Sequence, residues 1–388
     1  MPPRHPTIAH ALGPVRRCLQ GLPPPTANAS RRPVHVACSG GADSVALLGL
    51  LHLLAPREHL RLSVGHVDHA LRPESADEAA QVAALARALD LPLSCTRLEL
   101  TRGPGLPARA RDARHQALRA QAAEHGACLI ALGHTATDQA ETVLLHLTRG
   151  AGLEGLAAMS SLDPWPGRAG GPAPEGYWLR PLLELDRAQT RALAGHLQLP
   201  FLDDPTNDDL RHPRVRVRHE VLPVLRQLNP RVEHALARTA MHARQAEDAL
   251  HAWVHAEMLA RRRGPTISPE IHESSAAIDD PQAHAIAASP AAAVVTCRPR
   301  WSTESMERLP VAVRTRIIRQ ICRAAGAPDD ALSSGTLASI DQALVRPGPA
   351  RAWDLHPGLR LHLAAGELWI DPERSLRPLG PATGAANH

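Results

Sequence analysis

The stretch VHVACSGGADSVALL, Val34 to Leu48, constrains this chain more than any other. A short β-branched run leads into Ser39-Gly40-Gly41-Ala42-Asp43-Ser44, and an apolar run of helical character follows. That order describes a buried strand, a tight turn and a helix, an arrangement suited to holding phosphate. Two adjacent glycines open backbone conformations that other residues avoid, so successive N–H groups can converge on an anion. The helix behind them adds its positive end. The two serine hydroxyls can donate to phosphate oxygens, and Asp43 can orient the loop or share in holding magnesium.

A Walker loop needs a lysine, and this sequence has none: all 43 basic residues are arginine. Amides and hydroxyls must therefore hold the phosphates, with arginines supplying mobile positive charge. The 388 residues suffice for two or three domains, and 44% hydrophobic content without a membrane-length apolar run reads as a soluble protein. Met1 to Gln20 lacks the apolar block of a secretory signal. Six scattered cysteines form no C-x-x-C pair, which argues against structural zinc, an iron–sulfur cluster or a disulfide framework and fits a reducing cytoplasm. With 2% aromatic residues, base stacking is not expected to dominate contact with nucleic acid. The net charge of +4 permits a local basic face without demanding one.

Residues 1–30 read as a leader joined by a Pro-rich connection, 31–222 as a catalytic domain, and 223–388 as a mainly helical region. Strand candidates at Leu60 to Val67, Leu93 to Leu98 and Cys128 to Leu132 alternate with helix candidates at Glu74 to Leu89, 108–124 and Thr137 to Leu147. Such alternation predicts βαβ units, a parallel sheet, and ligands at the carboxyl ends of its strands. Residues 163–176 read as a loop, Arg180 to Asp204 as carrying one more helix, and 262–300 as a long polar loop. Leu309 to Ala325 has helical periodicity, and Leu359 to Ile370 reads as a hairpin around Ala364-Ala365-Gly366.

Three further constellations carry chemistry. His66-Val67-Asp68-His69-Ala70-Leu71-Arg72 leaves the second strand and can position a nucleotide; its spacing fits no standard zinc site. Gly133 and His134 leave another strand, and Asp138, Glu141 and Thr142 then share one helix face. Two carboxylates beside a phosphate loop can hold magnesium or act as a base, although acidic residues in a first turn also simply complement the helix dipole. Arg109, Arg111 and Arg114 precede a helical run, and Arg211, Arg214, Arg216 and Arg218 cluster before Glu220. The second cluster alternates as a strand would, yet 211, 214 and 218 also share a helix face; either way it offers guanidinium groups to phosphate or RNA backbone.

Together these motifs resemble the N-type ATP pyrophosphatase (PP-loop) superfamily and, within it, the tRNA(Ile)-lysidine synthetase family. Ser39 to Ser44 looks like the SGGxDS loop, His66 to Arg72 like the HV[ND]HxLR segment, and Ala110 to Arg114 like the ARxxRY element. Gly133 to Met159, Arg180-Pro181-Leu182, Asp204-Pro205-Thr206-Asn207 and Arg214 to Pro223 follow in the same order, and Leu309 to Pro372 is more loosely similar to the tRNA-binding region. Three positions depart: His115 stands where the family has Tyr, Thr137 where it has Asp, and Val215 where it has Asn.

The resemblance implies a parallel-sheet, adenine nucleotide α-hydrolase-like PP-loop domain followed by a mainly helical C-terminal domain ending in short strands. It implies ATP and Mg2+ as cofactors, free lysine as substrate, and a CAU-anticodon tRNA-Ile as partner, with no membrane; a homodimer is left open. On that reading Ser39, Gly40, Gly41, Ala42, Asp43, Ser44, His66, Gly133 and His134 bind ATP, while Asp43, Asp138, Glu141, Arg111 and Arg114 are catalytic. Asp43 and Asp138 are the magnesium ligands, with the base at Glu141 or Asp138; Arg72, Arg211, Arg214, Arg216 and Arg218 contact tRNA. Two other readings stay open: a 2-thiocytidine-type enzyme, which would want cysteine pairs, and a nucleotide-dependent tRNA-binding protein without catalysis.

Overall fold

The computed structural model describes residues 5–22, 30–68, 75–99, 101, 103–165, 176–202, 209–263, 299–328, 332–346, 348–356 and 358–372. His69 to Arg72, Asp204 to Asn207 and 264–298 lie outside them, as does everything after Pro372. The chain divides into two compact units, Met1–Glu247 and Asp248–His388. The sequence placed that division near 222; in the structure, residues 223–247 stay with the first unit.

The expected leader is a helix, α1 (Pro6–Gln20), with a proline at its start and the His5 ring accepting from Thr7 N–H. Its Ile8, Ala11, Val15 and Leu19 fall on one face and are buried in the main core. Burial of that stripe explains why the segment folds onto the domain although it read as a leader.

The chain then runs β1 (Arg32–Ala37), α2 (Ala42–Leu54), β2 (Leu60–Asp68), α3 (Ser75–Ala88), β3 (Leu93–Arg97), α4 (Leu106–Glu124), β4 (Leu129–Ala131), α5 (Ala136–Thr148) and α6 (Leu153–Leu156). After these come β5 (Leu162–Pro164), β6 (Tyr177–Leu179) and α7 (Arg187–His196). The sheet order is β3-β2-β1-β4-β6-β5, with every pairing parallel except β5 against β6. The strands β5 and β6 were not foreseen. At three residues each they are too short to show a period, and the flanking Pro and Gly residues pointed to a loop.

Both faces of the sheet are covered, as a parallel sheet requires. Val34 and Val36 of β1 pack with α1 and α2 on one face. On the other, Ala37 and Ile130 meet Leu118 and Ala122 of α4, with Trp165 and Trp178. A buried polar network threads that second face. The Gln121 amide donates to the His66 carbonyl (3.0 Å) and to Thr96 Oγ1 (2.7 Å), so its oxygen accepts from His35 Nε2 (3.2 Å). His35 Nδ1 then accepts from the Ser63 hydroxyl at 2.9 Å. The network closes over Gly65, where a Cβ would stand 2.2 Å from His35 Nε2 and 2.6 Å from Gln121 Oε1. Gly65→Ala is therefore expected to destabilise by about 1–3 kcal/mol; an unchanged urea midpoint would contradict this packing.

Beyond α7 the first unit continues through α8 (Pro213–Arg216), a π-helical turn (Val217–Val221), α9 (Leu222–Leu228) and the start of α10 (Val232–Arg261). Residues 213–221 thus settle as helix, with Arg211 in the turn before it. Val215 and Val217 are buried, and Val217 packs with Ala140, Leu222 and Val232.

The second unit carries β7 (Arg262–Arg263), β8 (Arg300–Ser302), α11 (Val311–Ala324), α12 (Ser334–Val345), β9 (Arg351–His356), β10 (Leu359–Ala364) and β11 (Glu367–Pro372). Its five strands form an antiparallel sheet in the order β7-β8-β11-β10-β9. The hairpin stands where the sequence placed it, with Ala365 (φ 51°) and Gly366 (φ 75°) in the left-handed region that a two-residue turn requires. Val313, Ile317, Ile318 and Ile321 of α11 pack with Leu337, Ile340 and Leu344 of α12 and with Leu361 and Leu368 of the sheet. Among the described residues, no helix is long and apolar enough to cross a membrane.

Candidate active site

The loop between β1 and α2 is folded around one hydroxyl. Ser44 Oγ accepts from Ser39 N–H (3.2 Å) and donates to the Gly41 carbonyl (2.9 Å), while Ser39 Oγ lies 3.3 Å away. Ser44 is buried and Ser39 exposed, so Ser44 shapes the loop and Ser39 faces outward from it. Gly40 sits at φ 90°, which a side chain would strain, and its carbonyl accepts from Leu202 N–H (3.0 Å). No side chain caps α2 at Gly41, so its first N–H groups are available to an anion. Gly133, leaving β4, lies so close that a Cβ there would be 3.1 Å from the Asp43 and Ser44 backbone. His66 Nδ1 donates to the Cys38 carbonyl at 2.9 Å, leaving the buried Nε2 as an acceptor with no partner among the described residues.

The expected carboxylates gather beside this loop, each already engaged. Asp138 closes a capping box at the start of α5: its Oδ2 accepts from Thr135 N–H and Thr135 Oγ1, both at 2.8 Å. Its Oδ1 accepts from Arg187 Nη2 at 2.9 Å. Asp43 accepts from the Thr190 hydroxyl, and its Oδ2 lies 3.7 Å from Arg187 Nε. Glu141, fully buried, takes Arg218 on both oxygens (2.7 and 3.2 Å) and Arg214 Nε at 3.2 Å. Arg214 Nη2 also donates to Thr142 Oγ1 at 2.5 Å.

These settings separate the carboxyl groups. For Asp138, burial pushes the pKa up, but Arg187, His134 and the Thr135 donors outweigh it and hold the value at about 2. For Asp43, burial dominates over Thr190 and Arg187, and its pKa is raised. Burial also drives His134 down to about 3, consistent with its Nδ1 accepting from Arg180 Nε at 3.2 Å. His115 packs against Trp178 with ring centroids 4.5 Å apart; burial and the charges of Arg111 and Arg114 lower it to about 4. Both arginines stand on α4, Arg111 exposed and Arg114 half-buried, and burial followed by Arg111 lowers the Arg114 pKa.

Two expectations are corrected here. The four arginines from 211 to 218 do not form one outward strip: Arg214 and Arg218 turn inward onto Glu141. Arg211 and Arg216 are exposed and pair locally with Asp209 (2.7 Å) and Glu220 (3.0 Å). Asp43 and Asp138, expected as a magnesium pair, are bridged by a guanidinium. Their oxygens do not present a vacant cage, and among the described residues no three His, Cys, Asp or Glu groups are placed to hold a metal. Arg72 lies outside the described residues.

Sequence reasoning missed Arg187 and Thr190. A signal existed: Asp186 and Gln189 form a second capping box, which starts α7 and puts Arg187 in its first turn, where the helix dipole disfavours a cation. Arg180, named only as part of a motif, donates to Asp163 Oδ2 (2.5 Å) and to the Ser160 carbonyl (2.9 Å).

A parallel sheet whose first strand opens into a lysine-free Ser-Gly-Gly loop, with carboxylates gathered at the same edge, defines a PP-loop nucleotide-binding protein. The family described as the PP-loop domain matches residues 16–225. The chain is 38% identical over 339 residues to a tRNA(Ile)-lysidine synthase of Thermobifida fusca, covering 87% of this chain and 89% of that one. It is 36% identical to the same-named protein of Streptomyces coelicolor (80% of this chain, 77% of that one). With that of Salinispora arenicola it shares 45% identity, over 61% of this chain and 67% of the relative. The chain belongs to the tRNA(Ile)-lysidine synthase family of PP-loop enzymes.

Proposed function

We propose that this chain ligates free lysine to C2 of the wobble cytidine of a CAU-anticodon tRNA-Ile, using ATP. The C2 oxygen attacks the α-phosphorus and pyrophosphate leaves; the lysine amine then attacks C2, loses a proton, and AMP leaves. The observation that supports this best is the placement of Ser39–Ser44, Gly133 and the Asp43–Asp138–Glu141 group at one sheet edge, in a chain aligned with lysidine synthases over most of its length.

The uncapped start of α2 and the loop amides bind the pyrophosphate portion, with Ser39 donating to it. His66 Nε2 accepts a hydrogen bond from a nucleotide donor, an amino or hydroxyl hydrogen. Arg111 and Arg114 offset charge growing on the phosphoryl oxygens. Magnesium bound to ATP would supply further neutralisation of the phosphate charge. Among the carboxylates, Asp43 is best suited to take the amine's proton, because Asp138 is held strongly ionised and both oxygens of Glu141 are occupied. Residues Arg211 and Arg216 face solvent and suit RNA backbone.

Omitting lysine tests the sequence of steps. ATP and tRNA alone should release pyrophosphate and leave an adenylated tRNA, from which added lysine liberates AMP; binding of tRNA without pyrophosphate release would favour a non-catalytic adaptor. Asp43→Ala should lower turnover at least about 100-fold while tRNA affinity stays within about twofold, and unchanged turnover would refute its role. Arg216→Ala should weaken tRNA binding and reduce its salt slope by about one contact, with stability unaltered. A salt slope equal to that of wild type would remove Arg216 from the interface.

A further inference from the structure

Asp43 and Asp138 come from the first turns of two different helices, α2 and α5, and converge on one side chain from a third, α7. Arg187 Nη2 is 2.9 Å from Asp138 Oδ1 and its Nε is 3.7 Å from Asp43 Oδ2. That Nε is buried and makes no hydrogen bond among the described residues, so its charge is directed at Asp43 rather than consumed by another acceptor. The backbone under it is fixed as well. Arg187 N–H donates to Thr137 Oγ1 at 3.3 Å, and the Asp186–Gln189 capping box holds the first turn of α7.

The remaining oxygens are committed elsewhere. Asp138 Oδ2 serves Thr135, and Asp43 Oδ1 serves Thr190. Across the cluster, the three carboxylates Asp43, Asp138 and Glu141 meet the three guanidinium groups of Arg187, Arg214 and Arg218. Thr137 keeps that balance: it meets the Arg187 amide with a neutral hydroxyl, where an aspartate would add a negative charge. A divalent ion entering between Asp43 and Asp138 would therefore have to shed water and expel a guanidinium already seated there.

We infer that Arg187 is a positioning residue, the resident counter-cation of the Asp43–Asp138 pair, and that it occupies the place of a bridging metal so that divalent ions reach this site only on ATP. It holds the two carboxylates at a fixed separation in the nucleotide-free protein. No part of this depends on which RNA or amine reacts, so it can fail while the synthetase reading stands, and the reverse.

The test uses the full-length, nucleotide-free protein with manganese(II) as probe, free ion being read by electron paramagnetic resonance. Wild type and Asp138→Asn should bind manganese equally weakly. Arg187→Met should gain one site at least about tenfold tighter than any in wild type, because a positive charge within contact distance of the ion is gone. Adding Asp138→Asn to Arg187→Met should abolish that gain, and Arg187→Lys, which restores the charge, should not show it. A merely structural role for Arg187 would move melting temperature without creating a manganese site. The inference is overturned if wild type binds one ion that Asp138→Asn removes, or if Arg187→Met melts like wild type and gains nothing. Should Arg187→Met fail to fold, the wild-type and Asp138→Asn comparison decides alone: equal weak binding supports the inference and a lost site contradicts it.

Discussion

Glu141→Ala is expected to cost about 3–5 kcal/mol of stability, with loss of activity following from the disordered site. The carboxylate is fully buried, and its removal deprives the guanidinium groups of Arg214 and Arg218 of the counter-charge they share. Arg218 is the more sheltered, with 14% of its side chain exposed against 40% for Arg214, so most of the penalty comes from stranding Arg218. Removing that charge too should recover stability: Glu141→Ala with Arg218→Met should lie above Glu141→Ala alone in urea midpoint. A Glu141→Ala protein within about 0.5 kcal/mol of wild type would show that the cluster is not a folded-state anchor.

Acidification is expected to destabilise the protein from about pH 6.5 downward, before most carboxylates begin to titrate. His35 is lowered to about 4 by burial, an effect that the Gln121 hydrogen bond opposes; His115 is lowered to about 4 and His134 to about 3, in each case chiefly by burial. In the unfolded chain a histidine titrates near 6.5. Between 6.5 and about 4 the unfolded state therefore binds more protons, and stability must fall as pH falls through that window. For fully buried His35 alone, the difference approaches roughly 3 kcal/mol at the bottom of the window. Asp138 acts in a different range: its pKa of about 2 contributes stability that is present above the ordinary carboxylate value and lost as pH drops toward 2. Urea midpoints at pH 7.5, 6 and 5 should decline in order, with His35→Gln showing a shallower decline. A flat profile down to pH 5 would contradict the neutral, buried state of these rings.

The elements that the sequence displayed well are those whose periodicity and chemistry agree. The Val34 to Leu48 turn, the βαβ alternation and the Ala365-Gly366 hairpin stand where the pattern put them. What escaped notice depends on partners far apart in the chain. Helix α1 read as a leader and is explained only by the core it covers; β5 and β6 are too short for a period and exist because each extends a sheet already built. The same reasoning applies to the site. Asp43, Asp138 and Glu141 were legible as carboxylates near a phosphate loop, but not that Arg187, Arg214 and Arg218 would meet them, since charge pairing over 49 residues or more leaves no spacing signal. An RVRVR run fits strand and helix equally, and only burial of Val215 and Val217 decided between them.

Amino-acid transfer to the tRNA is the decisive activity. Purified protein given radiolabelled lysine, ATP, magnesium and a CAU-anticodon tRNA-Ile should attach one label per tRNA, with one AMP formed for each. Transfer should require ATP and vanish when the wobble cytidine is replaced by uridine. Tight tRNA binding with no label transferred under any ATP concentration, by a protein whose wild-type fold is verified, would contradict it.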